Sequence, residues 1–186
     1  MAKIYIFLAE GFEEIEGLTV VDLLRRAKID ISMISVTGGR RVTGAHQITT
    51  EADLLFEDAD FSDADMLVLP GGMPGTTNLM KHEGLDRLLR DFSSRGKQLA
   101  AICAAPSVLG MKGILSGRNA TCFPGMEEKL LGAHLKNDDV VVDGNITTSR
   151  GMGTAIDFSL SLIKSIKGGE EARKIASSIQ YRHCQL

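Results

Sequence analysis

The stretch Gln98–Leu109 restricts the fold of this chain more than any other. A short apolar run, Leu99–Ile102, ends in Cys103, and two alanines and Pro106 follow before the sequence becomes helical again. Proline suits the first turn of a helix, where its missing N–H costs nothing. The pattern predicts a strand, a sharp turn and a helix with the cysteine at the corner. It is the cysteine counterpart of the serine elbow of hydrolases.

A cysteine at such a corner has two interpretations. The partial positive charge of a helix N-terminus favours the thiolate, which predicts Cys103 as a reactive nucleophile. The alternative is a buried structural cysteine, because free cysteine is among the most buried residue types. The chain has three cysteines, Cys103, Cys122 and Cys184, which is an odd number, and their spacing does not match a disulfide framework. We therefore expect free thiols in a reducing, cytoplasmic location.

Composition narrows the classes of function. A length of 186 residues predicts a single domain over residues 1–186, and 44% hydrophobic with 24% charged residues is typical of soluble globular proteins. The net charge is −3 with scattered basic residues, which gives no indication of a nucleic-acid surface. No apolar run approaches the roughly 20 residues of a membrane span, and the N-terminus lacks a signal-peptide pattern. No metal-ligand spacing is present, so we expect neither metal nor cofactor.

Strand-like and helix-like segments alternate along the chain. The predicted strands of the main sheet are Lys3–Leu8, Ile29–Val36, Met66–Leu69, Leu99–Ile102 and a hairpin of Val140–Val142 with Ile146–Ser149. The main predicted helices are Ile15–Ala27, Leu85–Phe92, Thr154–Ile166 and Glu170–Ile179. The region Val42–Thr50 is expected to form a small hairpin or edge strand outside the main sheet, and Leu54–Ala64 is expected to be a loop. The alternation predicts a three-layer α/β/α sandwich with a mostly parallel sheet.

In such sheets, ligands bind beyond the carboxyl ends of the strands. The segments Glu10–Glu14, Gly71-Gly72 and Cys103 each follow a predicted strand, so we expect them to meet at one edge. The backbone N–H groups of the two glycines can approach a substrate oxygen, although a plain turn is the alternative. The carboxylates that open the first helix, among them Glu16, also suit the helix start itself.

Four segments carry a more specific signal, and they are Leu8–Glu16, Val68–Gly72, Ala100–Pro106 and Thr148–Thr154. In this order they resemble the motifs of the DJ-1/ThiJ/PfpI family, over about Lys3 to Ile179. The resemblance is closest to the bacterial DJ-1-like branch of that family. It implies a flavodoxin-like sandwich with a cysteine nucleophile elbow, usually a homodimer, within the glutamine-amidotransferase-like superfamily.

The resemblance also implies roles for single residues. Cys103 matches the nucleophilic, oxidisable cysteine, and Glu16 matches a glutamate that is held protonated and donates a hydrogen bond to the sulfur. Gly72 and Ala104 match the residues whose N–H groups face the substrate. A protonated Glu16 is physically reasonable, because a carboxyl group buried beside a thiolate has a raised pKa. The supporting positions of the motifs are occupied by Glu13 and Arg150.

Two functions follow from this resemblance. The first is the cofactor-independent conversion of glyoxal or methylglyoxal to a hydroxy acid, with the removal of early glycation adducts from proteins. The second is a redox sensor or redox-regulated chaperone that uses the same oxidisable Cys103. The expected partners are a small aldehyde or glycated substrate and a second copy of the chain.

The chain departs from the family pattern at several positions. Phe123 stands where many relatives carry histidine, as it does in some bacterial members. Ala104 stands where the protease-like branch has histidine, and no His-x-Glu pair occurs late in the chain, so we expect neither protease nor glutamine amidotransferase activity. His46 takes a position where another branch has arginine, and we expect it to be a solvated loop residue. The tail Gln180–Leu186 has no counterpart.

Overall fold

The computed structural model describes residues 2–183, so Cys184 and the end of the C-terminal tail lie outside the described residues. The strands within that range are β1 (Lys3–Leu8), β2 (Asp30–Ser35), β3 (Arg41–Thr43), β4 (Thr49–Glu51), β5 (Leu54–Leu55), β6 (Met66–Leu69), β7 (Gln98–Ile102), β8 (Asn119–Ala120), β9 (His134–Leu135), β10 (Val140–Asp143) and β11 (Ile146–Ser149). The helices are α1 (Glu14–Arg26), α2 (Gly75–Lys81), α3 (Glu83–Ser94), α4 (Pro106–Met111), α5 (Ala155–Lys167) and α6 (Gly169–Ser178).

Seven strands form the central sheet in the order β10-β11-β7-β6-β1-β2-β5. All neighbours are parallel except β10, which pairs antiparallel with β11 through the predicted hairpin. Parallel neighbours need crossover connections, and the helices supply them on both faces of the sheet. The predicted three-layer α/β/α sandwich is therefore confirmed.

The strand β1 shows how the sheet divides the core. Its side chains alternate between the two faces, as the pleat of a strand requires. Ile4, Ile6 and Leu8 join one apolar core, whereas Tyr5 and Phe7 join the other. The first core is closed by side chains of α1, α5 and α6, including Val20, Leu24, Phe158, Leu160 and Ile175. The second is closed by side chains of α3 and α4, including Leu85, Leu89, Phe92, Val108 and Leu109.

Two regions expected to be loops contain regular structure. The strand β5 pairs with β2 at the edge of the main sheet, within the segment expected to be a loop over Leu54–Ala64. The helix α2 begins at Gly75, in a segment for which the sequence predicts no helix. Its segment has few apolar residues and no helical periodicity, and it is anchored by the buried side chains of Thr76 and Leu79. Such short elements leave no periodic signal.

The hairpin of β3 and β4 is separate from the main sheet, as expected. Its tip packs on the loop between β1 and α1. The N–H of Gly11 donates to the carbonyl of Thr43 at 2.8 Å, and the N–H of Ala45 donates to the carbonyl of Phe12 at 2.8 Å. The hairpin therefore covers the loop that leads to the glutamates of α1.

Candidate active site

The loops after three neighbouring strands meet at one edge of the sheet, as the sequence predicted. β1, β6 and β7 lie side by side, and the segments that follow them are joined by backbone contacts. The N–H of Glu13 donates to the carbonyl of Gly71 at 2.9 Å, and the N–H of Gly71 donates to Oε2 of Glu16 at 2.9 Å. The start of α1 is thereby fixed against the end of β6.

Cys103 lies at a sharp corner between β7 and α4. Its φ of +64° is in the left-handed region, which is uncommon for residues other than glycine and costs on the order of 1–3 kcal/mol. The corner is held on both sides. The N–H of Cys103 donates to the carbonyl of Ser149 at 2.9 Å, and its carbonyl accepts from the N–H of Phe123 at 2.8 Å. Pro106 is the first residue of α4, so the predicted elbow is confirmed.

Cys103 is partly exposed to solvent, and its sulfur lies among hydrogen-bonding groups. The backbone N–H groups of Ala104 and Gly72 donate to it, and both contacts act to lower its pKa. The carboxyl group of Glu16 also makes a side-chain hydrogen bond with it. The structure thus brings together Cys103, Glu16, Gly72 and Ala104, four of the residues predicted for the site.

Glu16 is buried in the first turn of α1, with 1% of its surface exposed. Burial raises the pKa of its carboxyl group to about 7, and the charge of Glu13 adds to this shift. The hydrogen bonds from Cys103 and from the N–H of Gly71 act in the opposite direction. The direction of the shift agrees with the prediction that Glu16 holds a proton. Its Oε1 atom is buried and has no hydrogen-bond partner within residues 2–183.

The surroundings of Cys103 act on the pKa of its thiol in opposite directions. Burial raises the pKa of the thiol to about 12, and the negative charge of Glu16 raises it further than the two N–H donors can offset. Cys103 and Glu16 therefore titrate as a pair, and loss of the proton from Glu16 raises the pKa of the thiol. The carboxyl group of Glu16 lies where it can accept the thiol proton during attack.

The two glycines after β6 leave room for this contact. A Cβ atom added at Gly71 would stand 2.6 Å from Cβ of Cys103 and 2.7 Å from Oε2 of Glu16. Gly72 has a φ of +88°, and a Cβ there would stand 2.6 Å from the carbonyl carbon of Phe12. No larger residue fits at either position without displacing the groups around the sulfur.

A second cluster of titratable groups lies beside this one. Glu14 is buried, and its Oε1 accepts from the N–H of His46 at 2.8 Å and from that of Ile48 at 3.3 Å. Nδ1 of His46 lies 3.1 Å from Oε2 of Glu14 and 3.5 Å from Oε2 of Glu13. His46 was expected to be a solvated loop residue. Its ring is 67% exposed, as expected, yet it pairs with two carboxylates that hold the hairpin tip in place.

The ligand atoms of Glu13, Glu14 and His46 lie within 4.8 Å of one another, a spacing that a metal ion can bridge. The carboxylate of Glu14 is already engaged by backbone N–H groups of the hairpin. We therefore assign this cluster to the attachment of the hairpin. Glu14 was not singled out from the sequence, because its partners come from a hairpin more than 30 residues away.

The opposite side of Cys103 is formed by the segment after β11 and by Phe123. A Cβ atom added at Gly151 would stand 4.0 Å from Sγ of Cys103 and 3.3 Å from Cδ2 of Phe123. The guanidinium group of Arg150 donates to the carbonyl of Asn137 at 3.4 Å. Arg150, which was predicted as a supporting residue, therefore reaches towards the segment before β10, while the next residue faces the sulfur.

Comparison with known proteins agrees with this geometry. The model of the DJ-1/PfpI family matches residues 2–165. The chain belongs to the DJ-1/PfpI family. It is 36% identical to protein dj-1beta of Drosophila melanogaster over 176 residues, which are 94% of each protein. It is 30% identical over 167 residues to a protein from Pyrococcus abyssi (strain GE5 / Orsay) that is named a deglycase, covering 89% of this chain and 99% of that one.

Some DJ-1 relatives are longer than this chain. Protein DJ-1 homolog B of Arabidopsis thaliana is 36% identical over 182 residues, which are 97% of this chain but only 42% of the plant protein. Among solved structures, oxidised DJ-1 of Toxoplasma gondii superposes with a TM-score of 0.94 at 32% identity, covering 98% of this chain and 100% of that one. DJ-1beta of Drosophila melanogaster gives a TM-score of 0.92 at 34% identity, with 98% and 100% covered. None of the helices within residues 2–183 has the length and hydropathy of a transmembrane segment.

Proposed function

We propose that this protein is a cofactor-independent enzyme that converts reactive α-dicarbonyl compounds, such as glyoxal and methylglyoxal, into hydroxy acids. The observation that carries the proposal is the pairing of Cys103 with Glu16. A partly exposed thiol lies at a strained elbow beside a buried carboxyl group whose pKa is about 7. Perturbed titratable pairs of this kind are typical of catalytic sites.

In the first step the sulfur of Cys103 attacks the aldehyde carbon. A C–S bond forms, the carbonyl π bond opens, and the thiol proton passes to Glu16, to which the thiol is hydrogen-bonded. Glu16 then gives this proton to the oxyanion and becomes a carboxylate again. We assign the stabilisation of the developing oxyanion to the N–H groups of Gly72 and Ala104, which hydrogen-bond the sulfur beside it. The product of this step is a hemithioacetal.

In the second step Glu16 moves a proton between the two carbons of the substrate. Removal of the hydrogen from the hemithioacetal carbon gives an enediol, and protonation of the neighbouring carbon gives a thioester of the hydroxy acid. Water then cleaves the C–S bond and restores the thiol. The overall reaction of methylglyoxal with water gives lactate, so oxidation of the aldehyde is balanced by reduction of the ketone within one molecule.

The same pair is poorly suited to amide hydrolysis. An α-dicarbonyl is already electrophilic, so one thiol and one carboxyl group suffice, whereas an unactivated amide needs a stronger base and an acid for the leaving amine. Ala104 offers no titratable group next to the sulfur. We therefore favour an aldehyde or an early glycation adduct as substrate, and the deglycase name of the Pyrococcus relative supports this choice.

We also propose that the protein acts as a homodimer through the face formed by α1 and the β3–β4 hairpin. Ile15 and Ile48 are 51% and 55% exposed there. They border a groove of about 520 Å³ that is also lined by Leu18, Ile156 and Ile179. A two-fold dimer would cover this apolar surface. Sedimentation velocity on the wild type and on Ile48→Glu tests this, with a dimer expected for the first and a monomer for the second; a monomeric wild type contradicts it.

The alternative function is a redox sensor. Its supporting observation is that the N–H groups of Gly72 and Ala104 and the carboxyl group of Glu16 can hold the oxygens of a sulfinate on Cys103. The solved relative from Toxoplasma gondii is described as oxidised.

The decisive experiment is incubation of the purified protein with methylglyoxal in D₂O, without glutathione, followed by NMR of the product. We expect lactate with deuterium at C2, because the proton on Glu16 exchanges with solvent. Lactate without deuterium contradicts the role of Glu16 as the proton carrier. Absence of lactate, with Cys103 oxidised first by peroxide as judged by mass spectrometry, supports the sensor instead.

A further inference from the structure

The surroundings of Cys103 are asymmetric. In the sheet, β7 has β6 on one side and β11 on the other. The loop after β6 brings Gly72 to the sulfur as an N–H donor, while the segment after β11 brings Gly151 to its other side. A carbonyl bound to the sulfur with its oxygen at the donors must therefore place its substituent towards Gly151.

The wall on that side is an aromatic ring. A Cβ atom at Gly151 would lie 3.3 Å from Cδ2 of Phe123 and 4.0 Å from Sγ of Cys103, so the ring is separated from the sulfur only by the space that a side chain at Gly151 would fill. The N–H of Phe123 is fixed to the carbonyl of Cys103 at 2.8 Å. Phe123 is nevertheless 50% exposed, so this large apolar residue beside the nucleophile is open to solvent.

We propose that Phe123 and Gly151 form a substituent pocket that makes the enzyme selective for α-oxoaldehydes with an apolar, preferably aromatic, substituent. The inference rests on the proposed function and deepens it. An exposed ring face gains most by stacking against another ring or an alkyl group, and it offers no hydrogen bond to a hydroxyl-rich sugar fragment. Gly151 leaves the opening wide enough for such a substituent.

Two pairs of probes test this selectivity. The first pair is phenylglyoxal and glyoxal, with kcat and KM measured for formation of mandelate and glycolate. The second pair is N-benzyl-2-chloroacetamide and 2-chloroacetamide, which alkylate Cys103 with loss of chloride and formation of an S–C bond. The rate of alkylation, followed by mass spectrometry of the intact protein, reports binding beside the sulfur without any need for turnover.

The variants distinguish the effect of the Phe123 ring from the effect of the open space beside Gly151. Phe123→Ala removes the ring, Phe123→Leu keeps an apolar wall, and Gly151→Ala narrows the opening. The φ of Gly151 is 167°, an extended conformation that alanine adopts, so this last change acts through the added methyl group alone. Val142→Ala is the control, because Val142 is 57% exposed on β10, towards the far end of the hairpin from Gly151.

For each probe pair we compare the aryl probe with the small one, as a ratio of kcat/KM for the aldehydes and of alkylation rates for the chloroacetamides. We expect this aryl-to-small ratio to fall about ten-fold in Phe123→Ala, mainly through KM for the aldehydes, and to fall less in Phe123→Leu. Gly151→Ala should slow the aryl probes more than the small ones, and Val142→Ala should keep the wild-type ratio. Equal ratios in the wild type and Phe123→Ala overturn the inference. Loss of the alkylation ratio in Phe123→Ala, in a protein that turns over neither aldehyde, supports the pocket and contradicts the proposed function instead.

Discussion

The N–H of Gly71, which lies in the loop after β6, donates a hydrogen bond of 2.9 Å to Oε2 of Glu16 in the first turn of α1. The contact is made in a buried region, where a carboxyl group loses most of its hydration. It fixes the orientation of the Glu16 side chain towards Cys103. The geometry of the proposed catalytic pair therefore depends on the absence of a side chain at Gly71.

Replacement of Gly71 by alanine should damage both the site and the fold. The new Cβ would stand 2.6 Å from Cβ of Cys103 and 2.7 Å from Oε2 of Glu16. We expect a loss of about 1–3 kcal/mol in the free energy of unfolding, together with a large loss of kcat/KM for methylglyoxal. Gly39→Ala is the control, because nothing lies within 4 Å of its added Cβ. Urea unfolding that shows equal stability for both variants contradicts the described packing.

Ionisation of Glu16 should destabilise the folded protein. Its pKa is raised from an ordinary 4.5 to about 7, so its contribution to stability is complete below pH 4.5 and is lost as pH rises through 7. The difference amounts to about 3 kcal/mol. Glu16→Gln stays neutral, so it should gain stability relative to the wild type between pH 5 and 8. Urea unfolding of both proteins across that range tests this, and a constant difference contradicts the raised pKa.

The rate of methylglyoxal conversion should depend on the same titration. The thiol needs a base, and Glu16 is a base only after it has lost its proton, so kcat/KM should rise with pH up to a plateau above about 7. Glu16→Gln should remove this rise and leave a low rate throughout. Cys122→Ser is a suitable control. An inflection near pH 7 that persists in Glu16→Gln assigns the titration to another group.

His46 should titrate above its ordinary pKa of 6.5. The hydrogen bond to Glu14 is the main cause, and the charge of Glu13 adds to it. His46 therefore supports the hairpin tip at pH values below 6.5, and this support is lost as pH rises through the raised pKa. In Glu14→Gln we expect the pKa to fall back towards 6.5. NMR titration of the His46 ring protons measures both values, and an unchanged pKa shows that the pairing is not formed in solution.

The parts of the fold that follow from the sequence are those with a strong local pattern. The strands Lys3–Leu8 and Met66–Leu69 were predicted with the bounds that the structure has, because each is an apolar run with clear polar or proline-glycine limits. Their order in a parallel sheet then fixed where Cys103, Gly71 and the glutamates of α1 would meet. The resemblance to the DJ-1/ThiJ/PfpI family singled out Glu16 among those glutamates.

The parts that the sequence did not predict depend on distant contacts. α2 lacks apolar periodicity and is helical because its buried residues pack on the sheet. Glu14 binds backbone N–H groups of His46 and Ile48, and no spacing in the sequence indicates that pairing. The raised pKa of Cys103 depends on burial and on the negative charge of Glu16, and the local sequence around the elbow indicates neither.

The most direct measurement is the steady-state conversion of methylglyoxal to lactate by the wild type, Cys103→Ser and Cys122→Ser, assayed side by side without glutathione. Cys122 is buried, with 4% of its surface exposed, so it controls for loss of a thiol as such. We expect the wild type and Cys122→Ser to form lactate at similar kcat/KM, and Cys103→Ser to be folded but inactive. Equal activity of Cys103→Ser and the wild type would contradict the central claim that the sulfur of Cys103 carries the reaction.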